Sequence, residues 1–316
     1  MESLADVLKQ MSGGSLLKQA EATGKRLLAD PVLQDWRREH PELTDERLKP
    51  YMNKLYQYVK ETKACAACPG LERCPNDFPG HYTVLSVEHD GGAPHLYDRQ
   101  AACVLFAAKE SQDAVRSRIR SFYVDERSLS QGYSAEEILG LDEERNKAVF
   151  GVMQYIDQTK ERGLMPKGLY LVGPLGTGKT FLMCYLLYEL AKTGRSGAIV
   201  YMPDFAEDLK AMFGEPQKLK ETVDMLKETD LLIFDDIGAE NLNPWLRDHV
   251  LGTILNYRMQ RKPTFFTSNH ELSALERHFS FTSREGEDED RGKRIMDRIR
   301  PFVDVLHVRG ANKRSG

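Results

Sequence analysis

The sequence predicts an α/β chain in two parts. The C-terminal part is a domain built on a five-stranded, mostly parallel sheet with helices on both faces; the N-terminal part is a mainly helical domain with a β-hairpin. Three observations carry this. Beyond about residue 135, short apolar runs alternate with helical periods. One of those runs opens into a glycine-rich pattern, Gly173–Thr180, that suits a phosphate. Ahead of both, four cysteines fall within 39 residues of a segment marked by helical apolar stripes.

A length of 316 residues fits two domains. We place the N-terminal domain at 1–108, a linker at 109–134 and the second domain at 135–316. With 44 basic against 48 acidic residues the net charge is −4, so no global field draws the chain to nucleic acid, and DNA contact has to be local. The start, Met1–Lys9, carries Glu2 and Asp6 and lacks a basic, then apolar leader. Phe181–Tyr188, the longest largely apolar stretch, falls far short of the roughly 20 residues that cross a bilayer. The expectation is a cytoplasmic protein without a membrane partner.

Leu4, Val7, Leu8 and Met11 follow helical spacing that Gly13 and Gly14 end. Asp30 as N-cap with Pro31 behind it starts a second helix carrying Trp36. A third, Thr44–Thr62, repeats Leu48, Met52, Leu55 and Val59 on one face. These stripes, with Tyr51, Tyr56 and Tyr58, suit either core packing or a docked partner protein. His81–Val87, a turn at Asp90-Gly91-Gly92 and His95–Tyr97 predict a hairpin. The polar stretch with Arg116, Arg118, Arg120 and Arg127 has no sustained period and is the linker.

In the second domain the pattern gives helix Asp142–Glu161, strand Gly168–Val172, helix Lys179–Lys192 and strand Ala198–Tyr201. Two helices fit between Asp204 and Glu228. Strand Asp230–Phe234, helix Pro244–Gln260 capped by Asn243, and strand Pro263–Thr267 follow, then a helix near Lys293–Arg300 and strand Val303–His307. The acidic patch Glu285–Asp290 suits a solvated loop.

Gly173, Pro174, Leu175, Gly176, Thr177, Gly178, Lys179 and Thr180 satisfy G-x-x-x-x-G-K-[ST] between a strand and a helix. The glycines let backbone N–H groups converge on phosphate oxygens at a helix N-terminus. Lys179 then suits the β and γ phosphates of ATP, and the Thr180 hydroxyl suits Mg²⁺. Asp235 and Asp236 end a strand on the edge where such sheets bind ligands. Side chains alternate along a strand, so Asp235 can face Mg²⁺ and Asp236 the attacking water. Asn269, at another strand end, can orient that water or simply cap its loop. Arg298, in Arg294–Arg300, can enter a neighbouring subunit's site or belong to a basic helix face pairing with the acidic loop. Local DNA contacts would come from Lys210, Lys218, Lys220, Arg258, Arg261 or Lys262.

Cys65-Ala-Ala-Cys68 has the knuckle spacing of a structural Zn²⁺ site, which needs two more ligands. Cys74, His81 and Cys103 compete. The hairpin turn sets His81 opposite Cys103, which favours Cys65, Cys68, His81 and Cys103. Cys74 in place of one of them, an iron-sulfur cluster on the four cysteines, or no metal stay open. Cys184, on an apolar helix, suits a small buried hydrophobe.

Phosphate loop, Asp-Asp strand, Thr-Ser-Asn strand and Arg-x-Met-Asp-Arg helix, in this order, resemble the AAA+ ATPases of the initiator and helicase-loader clade. Within it, Asp235–Glu240, Trp245–Arg247, Tyr257–Met259 and Pro263–Asn269 are similar to the primosomal helicase loaders. The resemblance spans about Ile138–Gly310, and the cysteine-rich N-terminal half matches the loaders more narrowly. It implies Walker A at Gly173–Thr180, Walker B at Asp235 and Asp236, sensor 1 at Asn269 and an arginine finger at Arg298. No sensor 2 is assigned, since the chain stops soon after its last strand. It also implies an ATPase that loads the replicative hexameric DNA helicase onto single-stranded DNA. That function brings a zinc-containing helicase-binding N-terminal half, other primosome proteins as partners and self-association through the AAA+ domains. Asp236 stands where many AAA+ enzymes carry Glu, and the shorter base implies slow, switch-like hydrolysis. A transposition helper ATPase shares the same signature but not the cysteine cluster; an adaptor holding nucleotide without turnover would not need Asp236, Asn269 and Arg298.

Overall fold

In the computed structural model the described residues are 15–90, 93–124, 143–282 and 284–312. The helix expected at Leu4–Met11 and most of the expected linker lie outside them. The chain divides into two compact units, Met1–Ser111 and Gln112–Gly316.

In the first unit, α1 (Ser15–Leu28) is followed by α2 (Pro31–Arg38), whose N-cap Asp30 accepts the Val32 N–H at 3.2 Å. The stripe that predicts one helix from Thr44 is broken. Asp45–Leu48 forms a single turn, Lys49–Tyr51 a 3₁₀ turn, and α3 runs Met52–Ala66. Pro50 has no N–H to continue the ladder and its ring crowds the preceding turn. The stripe itself is core: Leu33, Leu48 and Leu55 are fully buried and pack with Leu43, Val59, Leu85 and Leu96, whereas Tyr56 is exposed. A buried carboxylate ties α3 to the hairpin, because Glu61 accepts the Thr83 N–H at 2.6 Å and the Thr83 hydroxyl at 2.7 Å.

Strands β1 (His81–Asp90) and β2 (Ala93–Ala102) pair antiparallel, with His81 opposite Ala102 and Asp90 opposite Ala93. The register is one residue tighter than the expected turn implies. Cys103 therefore falls just past the ladder, and its N–H bonds Gly80 O at 2.7 Å instead of pairing with His81. Helix α4 (Val104–Arg116) follows directly.

The second unit holds a six-stranded, all-parallel sheet. Its strands are β3 (Ile119–Phe122), β4 (Gly168–Val172), β5 (Gly197–Tyr201), β6 (Leu231–Asp235), β7 (Thr264–Ser268) and β8 (Val303–His307), in spatial order β8-β4-β7-β6-β5-β3. The sixth strand corrects the expected five and the linker: α4 and β3 occupy the segment from residue 109 to 122. β3 is an edge strand bonded only to β5 and half-buried, so its sequence does not need the apolar run that marks β4, β6 and β7.

One sheet face is covered by α5 (Glu143–Arg162) and α6 (Lys179–Ala191), around Val149, Val152, Leu182 and Leu186. The other is covered by α7 (Met202–Ala211), α8 (Pro216–Glu228), α9 (Gly252–Arg258), α10 (Leu272–Ser280) and α11 (Glu289–Met296), around Phe205, Leu226, Ile254, Phe279 and Ile295. Asn243 caps as expected, accepting the Leu246 N–H at 2.8 Å, but the helix opens with a π-helical stretch, Leu246–Leu251, before α9. The sequence pattern does not predict α10. The acidic patch is also not a simple loop: Gly286–Glu287 pairs with Phe281–Thr282, and Asp288 caps α11, whose first turn carries Glu289 and Asp290. Acids there complement the positive helix end. No helix among the described residues is long and apolar enough to cross a membrane.

Arg258, expected as a surface contact for DNA, is completely buried. Its guanidinium donates to the carbonyls of Leu226, Lys227, Thr229, Asp230 and Pro263 at 2.6–3.1 Å and to the Thr264 hydroxyl at 3.0 Å, stitching α8 to β6 and β7. Arg258→Met keeps the bulk and strips five carbonyls of their donor. It should destabilise the second unit by about 3 kcal/mol or more in denaturant unfolding; an unchanged midpoint would contradict this role.

Candidate functional site

The phosphate loop joins the end of β4 to α6. Gly176 (φ 78°) and Gly178 (φ 88°) adopt left-handed backbone that side chains disfavour. Gly173 is needed for a different reason: a Cβ there would stand 2.1 Å from Val308 O, just after β8. A Cβ on Gly176 would likewise meet the Asn312 amide at 1.8 Å. Lys179 is buried and folded back over the loop, donating to Gly173 O at 2.8 Å, Pro174 O at 2.9 Å and Asn269 Oδ1 at 2.7 Å. The Thr177 hydroxyl closes the turn on Pro174 O at 3.0 Å, and Leu175 points out, 61% exposed.

Asp235 ends β6 and is buried. Its carboxylate accepts the Thr180 hydroxyl at 2.9 Å and the Thr267 hydroxyl at 2.7 Å, both on Oδ1. Burial pushes the Asp235 carboxyl upward in pKa, against the pull of the two hydroxyls. Asp236 leaves the strand path with φ 56°. Its N–H donates to Thr267 Oγ1 at 2.8 Å, and its Oδ1 accepts Asn269 Nδ2 at 3.0 Å. Behind them Ser268 Oγ donates to Ile237 O at 2.6 Å, and buried Glu240 accepts the Gly238 N–H at 2.7 Å while facing His278 Nε2 at 2.9 Å.

Lys179, Thr180, Asp235, Asp236 and Asn269 thus belong to one hydrogen-bonded set at the carboxyl edge of the sheet. The set fits a triphosphate with Mg²⁺. The loop offers N–H groups at a helix N-terminus, and Asp235 with Thr180 offers adjacent hard oxygen donors, the ligand type Mg²⁺ takes. Arg298 stands apart. With Lys227, Arg261, Arg291 and Arg294 it lines a separate cavity of about 530 Å³, and its Nε donates to Asn256 Oδ1 at 3.4 Å. Among the described residues no carboxylate is in salt-bridge reach of Arg298 or Arg294, whereas Arg291, Lys293 and Arg300 have carboxylate partners.

Two further residues belong to the site. Thr267 heads the Thr267-Ser268-Asn269 strand end marked in the sequence, but its link to both acids depends on β6 lying beside β7. Arg145, at the start of α5, is buried against the loop. Its guanidinium would lie 3.2 Å from a Cβ on Gly178, and it covers the Phe181 ring at 5.4 Å. Its helix precedes the motif, and no local pattern marks it.

Cys74 lies in the loop 74–81, and Cys65 and Cys103 each bond to it. Gly80 N–H donates to Cys74 Sγ, Phe106 N–H to Cys103 Sγ and Asn76 Nδ2 to Cys65 Sγ, each at 3.4 Å. The His81 ring packs on Phe106 at 4.5 Å and its Nδ1 faces Pro79 O at 3.3 Å. Cys68 is exposed and Cys184 is buried. Among the described residues no three His, Cys, Asp or Glu side chains converge closely enough to hold a metal ion. The expected meeting of Cys65, Cys68, His81 and Cys103 is therefore not formed, because the tighter hairpin register turns His81 and Cys103 to different neighbours.

Residues 1–91 match the family described as the N-terminus of the primosomal protein DnaI, and residues 153–315 match the IstB-like ATP binding protein family. The chain is 32% identical over 317 residues to the replicative helicase loader DnaI of Bacillus subtilis (strain 168), covering 99% of each chain. An ATP-binding protein assigned to insertion sequence IS1162 of Pseudomonas fluorescens is 32% identical over 100 residues, 32% of this chain and 42% of that one. A solved crystal structure of DnaI is 33% identical, covers 63% of this chain and 98% of its own, and has a TM-score of 0.51.

Asp235→Asn removes the negative charge and keeps the shape. Nucleotide binding in EDTA should persist, and its strengthening by Mg²⁺ should fall by about tenfold or more; a Mg²⁺ response like that of the unaltered protein would contradict the placement of the metal.

Proposed function

The chain belongs to the DnaI family of helicase loaders, and from that membership we propose that it places the replicative hexameric DNA helicase on single-stranded DNA, with ATP as a state switch. The observation that supports this best is the conjunction of two facts. A whole-length relative is a replicative helicase loader, and Lys179, Thr180, Asp235, Asp236 and Asn269 form one polar set on the phosphate loop. The IstB-like match covers the second unit alone, while residues 1–91 match the DnaI N-terminus, which favours loader over transposition helper.

ATP with Mg²⁺ supplies the scissile phosphoryl bond. Lys179, which neutralises the loop's own carbonyls, is the cation that turns to the phosphates. Thr180 and Asp235 hold the metal. Asn269 and Asp236, already bonded to each other, orient water and take its proton. Arg298, set in its own cationic cleft, acts on the site of a neighbouring copy, which requires self-association through the ATPase units. The helicase is gripped by the N-terminal unit. Single-stranded DNA, other primosome proteins and a cytoplasmic setting complete the reading.

A structural zinc ion belongs to it as well, supported by the Cys65-Ala-Ala-Cys68 spacing. Metal analysis of the purified chain should give one zinc per chain, and loss of it in Cys65→Ser. Zinc absent from the unaltered chain, or retained in that variant, contradicts the assignment.

Turnover should stay below about 10 s⁻¹, the general enzyme median, and Lys179→Ala should abolish it while the chain still folds. A faster enzyme would contradict the shorter base. The full chain should retain the hexameric helicase in a pull-down and a chain reduced to residues 112–316 should not. Equal retention moves the partner surface to the ATPase unit.

A further inference from the structure

We infer that Thr267 is a positioning residue of the phosphate site, one hydroxyl that sets both acids at once. The inference rests on the ATPase reading above and adds a residue to it.

A threonine hydroxyl has one proton to give and two lone pairs to receive. The Asp236 N–H, fixed by the backbone, points at Thr267 Oγ1 from 2.8 Å and occupies a lone pair. The proton goes to Asp235 Oδ1 at 2.7 Å, in surroundings that leave Thr267 only 1% exposed. The hydroxyl is thereby locked between the two acidic residues, donor to the side chain of one and acceptor from the main chain of the other.

Each half of that lock has a separate consequence. Asp235 is also bonded to Thr180, whose oxygen would serve the metal as well. The Thr267 hydroxyl would have no metal to serve, so its bond is committed to holding the orientation of Asp235 from the neighbouring strand. Asp236 sits at φ 56°, a left-handed backbone that non-glycine residues rarely adopt, and the Thr267 oxygen anchors its N–H there. That turn carries the Asp236 carboxylate to Asn269 Nδ2. The neighbouring Ser268 hydroxyl does neither: it donates to Ile237 O and accepts the His270 N–H, touching no carboxylate.

The test compares Thr267→Val, which keeps the shape and loses the hydroxyl, with Thr267→Ser, which keeps the hydroxyl, both in the full chain. Binding of a fluorescent ATP analogue is titrated in EDTA and then against Mg²⁺, and turnover is followed over the same Mg²⁺ range. Thr267→Val should bind the analogue in EDTA as the unaltered chain does. Its Mg²⁺ requirement should rise by about tenfold or more and its saturated turnover fall by about tenfold or more; Thr267→Ser should stay within about twofold on both. A merely structural role would not separate the EDTA and Mg²⁺ arms. Thr267→Val matching the unaltered chain, losing the analogue already in EDTA, or being equalled in its losses by Thr267→Ser overturns the inference. Thr267→Ala carries the same readouts if the valine variant does not fold. An unaltered chain that neither binds nor hydrolyses ATP overturns the ATPase reading itself, a result distinguishable from failure of the Thr267 variants alone.

Discussion

The buried carboxylate of Asp235 is the constraint around which the ATPase unit is arranged. A carboxylate taken out of water needs hydrogen-bond donors or it reverts to the neutral acid. Here the donors come from two different parts of the chain, Thr180 at the first turn of α6 and Thr267 at the end of β7. Bonds to a charged group are worth about 1.5–3 kcal/mol each, enough to favour one arrangement of these segments over others. Satisfying both hydroxyls brings the loop after β4 and the ends of β6 and β7 to one point, and the strand order β4-β7-β6 does this. The phosphate loop and the acids are then neighbours without further adjustment.

What could be read from the residues follows how local the cause is. The loop was legible because its glycines, lysine and threonine are consecutive and their chemistry depends on the next helix alone. The β6 acids were legible because an apolar run that stops abruptly at two charges marks a buried strand reaching a polar edge. Edge strand β3 was hidden, since pairing on one side leaves it half-exposed and polar in composition. The expected hairpin forms, but its register differs by one residue, and in a strand one residue reverses the face of every side chain, which is enough to separate His81 from Cys103. Pro50 sits inside an apolar helical period, and its missing N–H breaks the helix that the period alone predicts. Arg258 gave no sign at all: an arginine flanked by Tyr257 and Met259 looks like any surface arginine, and only the carbonyls ending α8 and flanking β6 and β7 show why it is inside.

The second unit thus carries two cationic features with different surroundings. Lys179 is buried and engaged with carbonyls and Asn269, a state in which its charge is satisfied from within. Arg298 and Arg294 face a cavity and lack a carboxylate partner among the described residues. The first arrangement suits a site that must be opened by its own ligand; the second suits charge left for an anion, since among the described residues no carboxylate pairs with Arg294 or Arg298. Both features bear on the proposed state switch, and membership of the DnaI family ties the chain to helicase loading.

The central claim is that a triphosphate and its metal displace the contacts Lys179 now makes. A crystal structure of the full chain with Mg²⁺ and a non-hydrolysable ATP analogue tests it most directly. The account predicts the phosphates enclosed by residues 173–180, the metal between Thr180 and Asp235, and the Lys179 ammonium released from Gly173 O and Pro174 O. Nucleotide bound elsewhere, or Lys179 still on those carbonyls beside a filled loop, would contradict it.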